Sequence, residues 1–190
     1  MARTFTVARS ILIEATPLSV YEQVSRPALM GRWSPENLGA TVLGDEQGPG
    51  GPDEPARVGL VFEGHNKRGA FRWTTRCTVT EAEPGRCFAF RVHAIGLKNP
   101  RLSAPIATWK YRFEETKGAA GAGPGTKVTE SWTDDRRSWP TFVADTFDRI
   151  ATGGQTFAVF QVRNIDRTLR NLKREIEAGA RPTTGSVTEG

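Results

Sequence analysis

A single carboxylate among apolar neighbours is the feature of this sequence with the clearest potential for chemistry. Residues 126–134 alternate in the manner of a half-buried β-strand, and Glu130 falls on the apolar face between Val128 and Trp132. Burial disfavours a charged carboxylate and raises its pKa, so that Glu130 could serve as a general acid or base near neutral pH. The alternative is structural: Tyr111 or an arginine satisfies the carboxylate, or a bulge turns it outward.

The preceding strand brings a phenol to this carboxylate. Residues 106–115 connect to the Glu130 strand through a Gly/Ala-rich loop, and pairing about the loop centre sets Tyr111 opposite Glu130 and Trp109 opposite Trp132. A register slip of two residues is the alternative. We therefore predict Glu130 and Tyr111 as the catalytic pair.

Aromatic side chains on the inward faces of the strands form a set that could stack on a flat or polyene ligand, with simple core packing as the alternative. Trp33 would either gate such a pocket or plug the base of two short helices. Asn66, in a predicted turn at residues 64–69, could hydrogen-bond a ligand carbonyl. The predicted ligand-binding residues are Trp33, Phe62, Asn66, Trp73, Phe90, Trp109, Trp132 and Gln161.

The remaining reactive residue types do not form a recognisable site. His65 falls in the predicted turn and His93 on an outward strand position, so neither is predicted to bind a metal. Strand parity sets Cys77 opposite Val92 and Cys87 opposite Ala82, so the cysteines point to opposite faces several residues out of register, and no disulfide between them is predicted. The sequence has no phosphate-binding glycine loop, zinc spacing or dinucleotide fingerprint, and we expect no cofactor.

The elements that must position these residues are mainly strands, followed by one long helix. A first strand leads into two short helices, interrupted at Pro27, and the strands then continue to residue 134. The predicted strands are 4–14, 40–43, 58–64, 71–81, one around 88–92, 106–115 and 126–134; the short helices are 18–24 and 28–33. Residues 44–55 are too rich in Gly, Pro and acids to pack, and we predict a mobile loop.

The long helix is predicted from Gly154 onward, on the basis of an apolar stripe at spacings of 3, 4, 3 and 4. The stripe consists of Val162, Ile165, Leu169, Leu172 and Ile176, and Arg163, Arg167, Arg170 and Arg174 fall on the opposite face. Gly179 and Pro182 would end the helix. We therefore predict a single domain at residues 1–178 and a disordered tail at 179–190.

Composition places the chain among ordinary globular proteins. It has 190 residues, 37% apolar and 25% charged, with a net charge of +5. The charge is compatible with nucleic acid, but a solvated surface is the simpler interpretation, and no nucleic-acid partner is predicted. The sequence has no apolar run of membrane-spanning length and no signal-peptide pattern at its start, so we predict a cytoplasmic protein without a membrane span.

This order of elements, with several local motifs, resembles the SRPBCC superfamily, also called START-like or helix-grip, and within it the polyketide cyclase/dehydrase and lipid-transport branch. The resemblance extends from about Arg9 to Ile176. It implies an α+β fold, in which a curved antiparallel sheet wraps around a long C-terminal helix and leaves an internal apolar pocket. The segments that carry it are residues 9–17, Met30-Gly31-Arg32-Trp33-Ser34-Pro35-Glu36, residues 62–69, residues 107–111 and residues 128–132.

The resemblance implies a hydrophobic small-molecule partner and no particular reaction. One hypothesis is a cofactor-independent cyclase or dehydratase acting on a polyketide-like substrate, with Glu130 and Tyr111 transferring protons. A second is a carrier or sensor that only binds a lipid-like or aromatic molecule. A third is an interaction module of the co-chaperone type that uses an exposed face such as the arginine stripe. The sequence does not decide among them, nor does it indicate an oligomeric state.

Overall fold

The computed structural model describes residues 5–43, 54–118, 123–137 and 157–179. Within them, seven antiparallel strands form one sheet in the order β1-β7-β6-β5-β4-β3-β2, and a long helix follows. The predicted helix-grip architecture is confirmed. The elements are β1 (Thr6–Ile13), α1 (Pro17–Val24), the 3-10 helix α2 (Pro27–Arg32), β2 (Asn37–Leu43), β3 (Val61–Arg68), β4 (Phe71–Glu83), β5 (Cys87–Gly96), β6 (Leu102–Lys117), β7 (Pro124–Asp134) and α3 (Phe157–Gly179).

The two short helices begin where local chemistry favours a helix start. Thr16 caps α1 by accepting a hydrogen bond from the Ser19 backbone N–H at 3.2 Å, and Pro17 occupies the first helical position. Pro27 likewise opens α2, since a proline at the first position loses no intrahelical hydrogen bond. Both predicted short helices are present, each within about one residue of its expected bounds.

The β3–β4 connection differs from the prediction. Residues 64–69 were expected to form a turn, but β3 continues to Arg68, which pairs with Phe71, and the reversal is a tight turn at Gly69. Gly69 has φ of +58°, a conformation that glycine adopts without steric cost. Val58 begins the predicted strand 58–64, and its apolar side chain would face the core there, but it is 63% exposed because the strand begins three residues later, at Val61.

A β-bulge changes the expected pairing between β4 and β5. Cys77 lies opposite Val92 as predicted, but the register shifts between Val79 and Glu81, and Cys87 therefore pairs with Glu83 rather than with Ala82. Both cysteines are free, as expected from their separation.

The β6–β7 register and the face of the last helix match the predictions. Tyr111 pairs with Glu130, and Trp109 with Trp132. On α3, the stripe residues Ile165, Leu169, Leu172 and Ile176 are buried and Val162 is half-buried, whereas Arg163, Arg167, Arg170 and Arg174 are exposed. The predicted loop at 44–55, except its last two residues, lies outside the described residues, as do Gly153-Gly154 and all but the first residue of the predicted tail.

The close approach of α2 to β2 makes Gly31 a sensitive position. A Cβ atom at Gly31 would lie 2.8 Å from the backbone N of Gly39 and 2.8 Å from the carbonyl C of Leu38. Backbone atoms cannot yield as flexible side chains do, so we expect Gly31→Ala to lower the free energy of unfolding by about 1–3 kcal/mol in urea titrations. Gly123→Ala is the matched control, because its Cβ would meet nothing within 4 Å. Equal unfolding midpoints for the two variants would contradict this account.

Candidate functional site

A cavity of about 770 Å³ lies between the curved sheet and α3. This volume falls in the range of ~300–1,000 Å³ that is typical of sites for small organic ligands. All ten residues predicted as catalytic or ligand-binding line it, namely Trp33, Phe62, Asn66, Trp73, Phe90, Trp109, Tyr111, Glu130, Trp132 and Gln161. The sheet curvature brings together the residues on β3, β4, β5, β6 and β7, while Trp33 follows α2 and α3 contributes Gln161.

Apolar and aromatic side chains form most of the cavity wall. All four tryptophans of the described ranges line it, and Phe62 and Phe90 pack edge to face with ring centroids 5.3 Å apart. Trp33 is buried at the end of α2, where its carbonyl oxygen accepts a hydrogen bond of 2.9 Å from Asn171 of α3. A wall of this kind favours an apolar ligand.

Glu130 and Tyr111 meet at the cavity wall. The phenol of Tyr111 donates a hydrogen bond to Glu130 Oε1 at 2.8 Å, and Glu130 is only 1% exposed. Within the described part of the chain, the second carboxyl oxygen of Glu130, Oε2, is buried without a hydrogen-bond partner. The alternative to a catalytic role was that a neighbouring side chain satisfies the Glu130 carboxylate. Tyr111 does so for only one of the two carboxyl oxygens.

Burial decides the protonation of this pair. Loss of hydration raises the pKa of Glu130 to about 8, and this effect exceeds the opposing effect of the Tyr111 hydrogen bond, which lowers the pKa. The pKa of Tyr111 is raised well above its usual value, first by burial and then by the neighbouring Glu130. Near neutral pH the site therefore holds a neutral carboxylic acid whose proton is available for transfer.

An ion pair stands at the mouth of the cavity. Arg68 contacts Glu36, with Nη2 3.0 Å from Oε2, and its guanidinium lies 3.9 Å from the ring centre of Phe160 and 5.5 Å from that of Trp73. This group joins the start of β2, the end of β3 and the first turn of α3. Arg68 was not among the predicted site residues, because the sequence pattern indicated a turn at residues 64–69.

Polar side chains occupy a few fixed places on the wall. Asn66 donates to the carbonyl oxygen of Gly64 at 3.0 Å and accepts from Asn37 Nδ2 at 3.4 Å. On α3, Asn164 donates to Gln161 Oε1 at 3.3 Å. Four further polar residues of the cavity were not predicted from the sequence, namely Asn37, Thr75, Asn164 and Thr168. The signal for the last two was their spacing of three and seven from Gln161, which places all three on one helical face.

The histidines lie on strands outside this site. His65 contacts Thr41 Oγ1 at 2.8 Å and His93 contacts Thr78 Oγ1 at 3.0 Å, and neither lines the cavity. The prediction that His65 lies in a turn was wrong, because β3 extends past it. Among the described residues, no group of three or more His, Cys, Asp or Glu side chains could hold a metal ion.

Cys77 also lines the cavity, where burial raises the pKa of its thiol to about 12. A thiol with this pKa stays protonated and is a poor nucleophile.

No helix in the described ranges combines the length and apolar content that crossing a bilayer requires.

Solved structures share the fold. A Polyketide_cyc-like protein, Cgl2372 from Corynebacterium glutamicum, is 26% identical with a TM-score of 0.53, over 97% of this chain and 99% of that one. Protein Ms6760 from Mycobacterium smegmatis is 17% identical with a TM-score of 0.55, over 95% of this chain and 93% of that one. XoxI from Bacillus cereus is 14% identical with a TM-score of 0.57, over 92% of this chain and 96% of that one. No curated protein matches the sequence.

The family comparison covers nearly the whole chain. Residues 4–177 match the family model described as polyketide cyclase / dehydrase and lipid transport. The family and the fold support the binding of a hydrophobic ligand, and the resemblance seen in the sequence is confirmed. The chain belongs to the polyketide cyclase/dehydrase and lipid transport family.

Proposed function

We propose that this protein binds an apolar, oxygen-bearing small molecule in its cavity and catalyses a dehydration or cyclisation without a cofactor. The observation that carries this proposal is Glu130: a neutral carboxylic acid at the wall of an apolar cavity, with one oxygen held by Tyr111 and the other without a partner among the described residues. A ligand hydroxyl or carbonyl that reaches Oε2 would complete the hydrogen bonding of the carboxyl group.

In a dehydration, Glu130 would act first as an acid and then as a base. Its carboxyl proton passes to a hydroxyl of the substrate, the C–O bond breaks, and water leaves. The carboxylate then takes a proton from the neighbouring carbon as the C=C bond forms, which restores neutral Glu130 and balances the reaction. Tyr111 holds Oε1 throughout, so that the carboxyl group keeps its orientation.

The predicted ligand-binding residues would position the substrate in the cavity. Trp73, Trp109 and Trp132 offer aromatic faces against which a flat or polyene substrate can stack, and Trp33 closes the wall beside α2. Asn66 and Gln161 would fix the orientation of ligand oxygens. A folded substrate chain is thereby held with its reacting carbon near Glu130, which is how a site without a cofactor accelerates an intramolecular reaction.

A non-catalytic carrier is the second candidate. The hydrogen bond from Tyr111 gives Glu130 a structural partner, and the same carboxyl proton could simply bind a ligand oxygen. Both candidates require an apolar ligand in the cavity, and they differ in whether Glu130 transfers its proton.

We expect native mass spectrometry of the purified protein to detect a retained apolar compound. Ala107→Phe should abolish its retention and weaken a fluorescent probe, 1-N-phenylnaphthylamine, at least ~10-fold, because Ala107 is a small residue of the cavity wall and the phenyl ring would occupy ligand space. Binding can be followed by energy transfer from the cavity tryptophans. Thr75→Phe is a second filling variant in case the first folds poorly, and Val58→Phe is the exposed control. Unchanged probe affinity in both folded filling variants would refute binding in this cavity.

A further inference from the structure

Three large apolar side chains surround the mouth of the cavity and are exposed to solvent. Phe71, Leu97 and Leu102 are 58%, 69% and 56% exposed, and all three also line the cavity. They lie on two neighbouring hairpin tips, residues 67–72 between β3 and β4 and residues 96–102 between β5 and β6, which we call the mouth tips. Isolated exposed apolar residues are common, but convergence of three at one opening indicates an interaction surface.

The mouth tips are also strongly basic. Their sequences, Lys67-Arg68-Gly69-Ala70-Phe71-Arg72 and Gly96-Leu97-Lys98-Asn99-Pro100-Arg101-Leu102, contain five cations and no Asp or Glu, in a chain whose net charge is +5. Lys67, Arg72, Lys98 and Arg101 are exposed, whereas Arg68 is paired with Glu36. Apolar tips among cations match the two layers of an anionic lipid surface, where charged headgroups overlie hydrocarbon.

We propose that the mouth tips dock on the surface of an anionic phospholipid bilayer. Leu97, Leu102 and Phe71 enter the interface, while the exposed Lys and Arg side chains contact the headgroups. Each such cation contributes about fivefold in affinity near an anionic membrane, so the surface has enough charge for reversible binding even with only three apolar anchors. No element needs to span the bilayer for this contact.

This docking would place the cavity opening against the bilayer. An apolar ligand has low solubility in water, and direct passage between hydrocarbon and the cavity avoids that barrier. Docking is independent of whether Glu130 performs chemistry, because the mouth tips and the Tyr111–Glu130 pair are different residues. Membrane binding and turnover can therefore be measured and can fail separately.

The test is sedimentation with vesicles of phosphatidylcholine containing 30% phosphatidylglycerol, compared with pure phosphatidylcholine. We expect wild-type protein to bind the anionic vesicles and to be released by high salt. Leu97→Ser/Leu102→Ser should reduce the partition coefficient at least ~10-fold by removing two apolar anchors. Lys98→Glu/Arg101→Glu should reduce it by more than ~100-fold by reversing two headgroup contacts.

The matched control variants carry the same types of substitution at positions outside the mouth tips. Leu18→Ser alters an apolar residue that is 50% exposed and lies beside Gly85, at the opposite end of β4 and β5. Arg167→Glu/Arg170→Glu makes the same change in net charge on the exposed face of α3. Both controls should bind vesicles as the wild type does. Absence of wild-type binding, or equal losses in tip and control variants, would overturn the proposal; in the first case, the mouth tips would be a surface for a protein instead.

Discussion

Glu130→Gln should lower the turnover of the cavity substrate by at least ~100-fold while its dissociation constant changes only slightly. The amide keeps the shape of the carboxylic acid and its acceptor for the Tyr111 hydrogen bond, but it cannot transfer a proton, and general acid–base groups typically contribute ~10²- to 10⁴-fold. The compound retained by the native protein is the substrate to test, with product formation followed by mass spectrometry and binding by tryptophan fluorescence.

Two further variants sharpen this experiment. Tyr111→Phe removes the hydrogen bond that lowers the pKa of Glu130, so the pH above which turnover falls should move upward from about 8. Glu63→Gln, which alters a carboxylate bonded to Arg76 at 2.8 Å outside the cavity, should leave turnover unchanged. If Glu130→Gln binds and converts the compound as well as the wild type, the catalytic role is wrong; if no conversion occurs even in the wild type, the carrier function is favoured.

The stability of the protein should depend on pH through Glu130. The pKa of this group is about 8 in the folded protein and near the ordinary value of 4.5 when the chain unfolds. The folded state thus binds a proton more tightly, and its stabilisation is fully present below pH 4.5 and is lost progressively as the pH rises to about 8. Across that window the free energy of unfolding should fall by up to about 1.4 kcal/mol per pH unit.

The Glu130→Gln variant isolates the contribution of Glu130 to the pH dependence of stability. Glu130→Gln has no ionisable group at the position, so the difference in unfolding free energy between wild type and variant should decline from pH 5 to pH 8 and then level off. Urea titrations at each pH measure the difference directly, and the other titrating groups cancel to first order. A constant difference across the range would mean that Glu130 is ionised in the folded protein, and that would also remove the acid from the proposed mechanism.

Local patterns were sufficient for most of the architecture. Period-two alternation identified β6 and β7, and symmetric pairing about their loop correctly set Tyr111 opposite Glu130. The stripe from Ile165 to Ile176 identified the buried face of α3. These predictions succeed because each depends on a periodicity that the side chains of one or two neighbouring elements must satisfy on their own.

Predictions failed where the local signal favoured another structure. Residues 64–69 are mostly polar and contain two glycines, a composition that is typical of a turn. Most of them nevertheless form part of β3, because one face of this strand borders the cavity and the other faces outward. The bulge after Val79 left no clear mark in the sequence. It allows the register to shift while Val79 and Ala82 both keep contact with the core.

The sequence by itself determined the order of the elements, the inward faces of the strands and the presence of a carboxylate on an apolar face. Only the tertiary structure decided that this carboxylate has one bonded and one unpartnered oxygen among the described residues, that Arg68 joins Glu36 at the mouth, and that two basic tips with apolar anchors share that mouth. The physical reason is distance along the chain: strand faces follow from residues two apart, whereas a cavity and its opening arise from sheet curvature, which brings together side chains far apart in sequence.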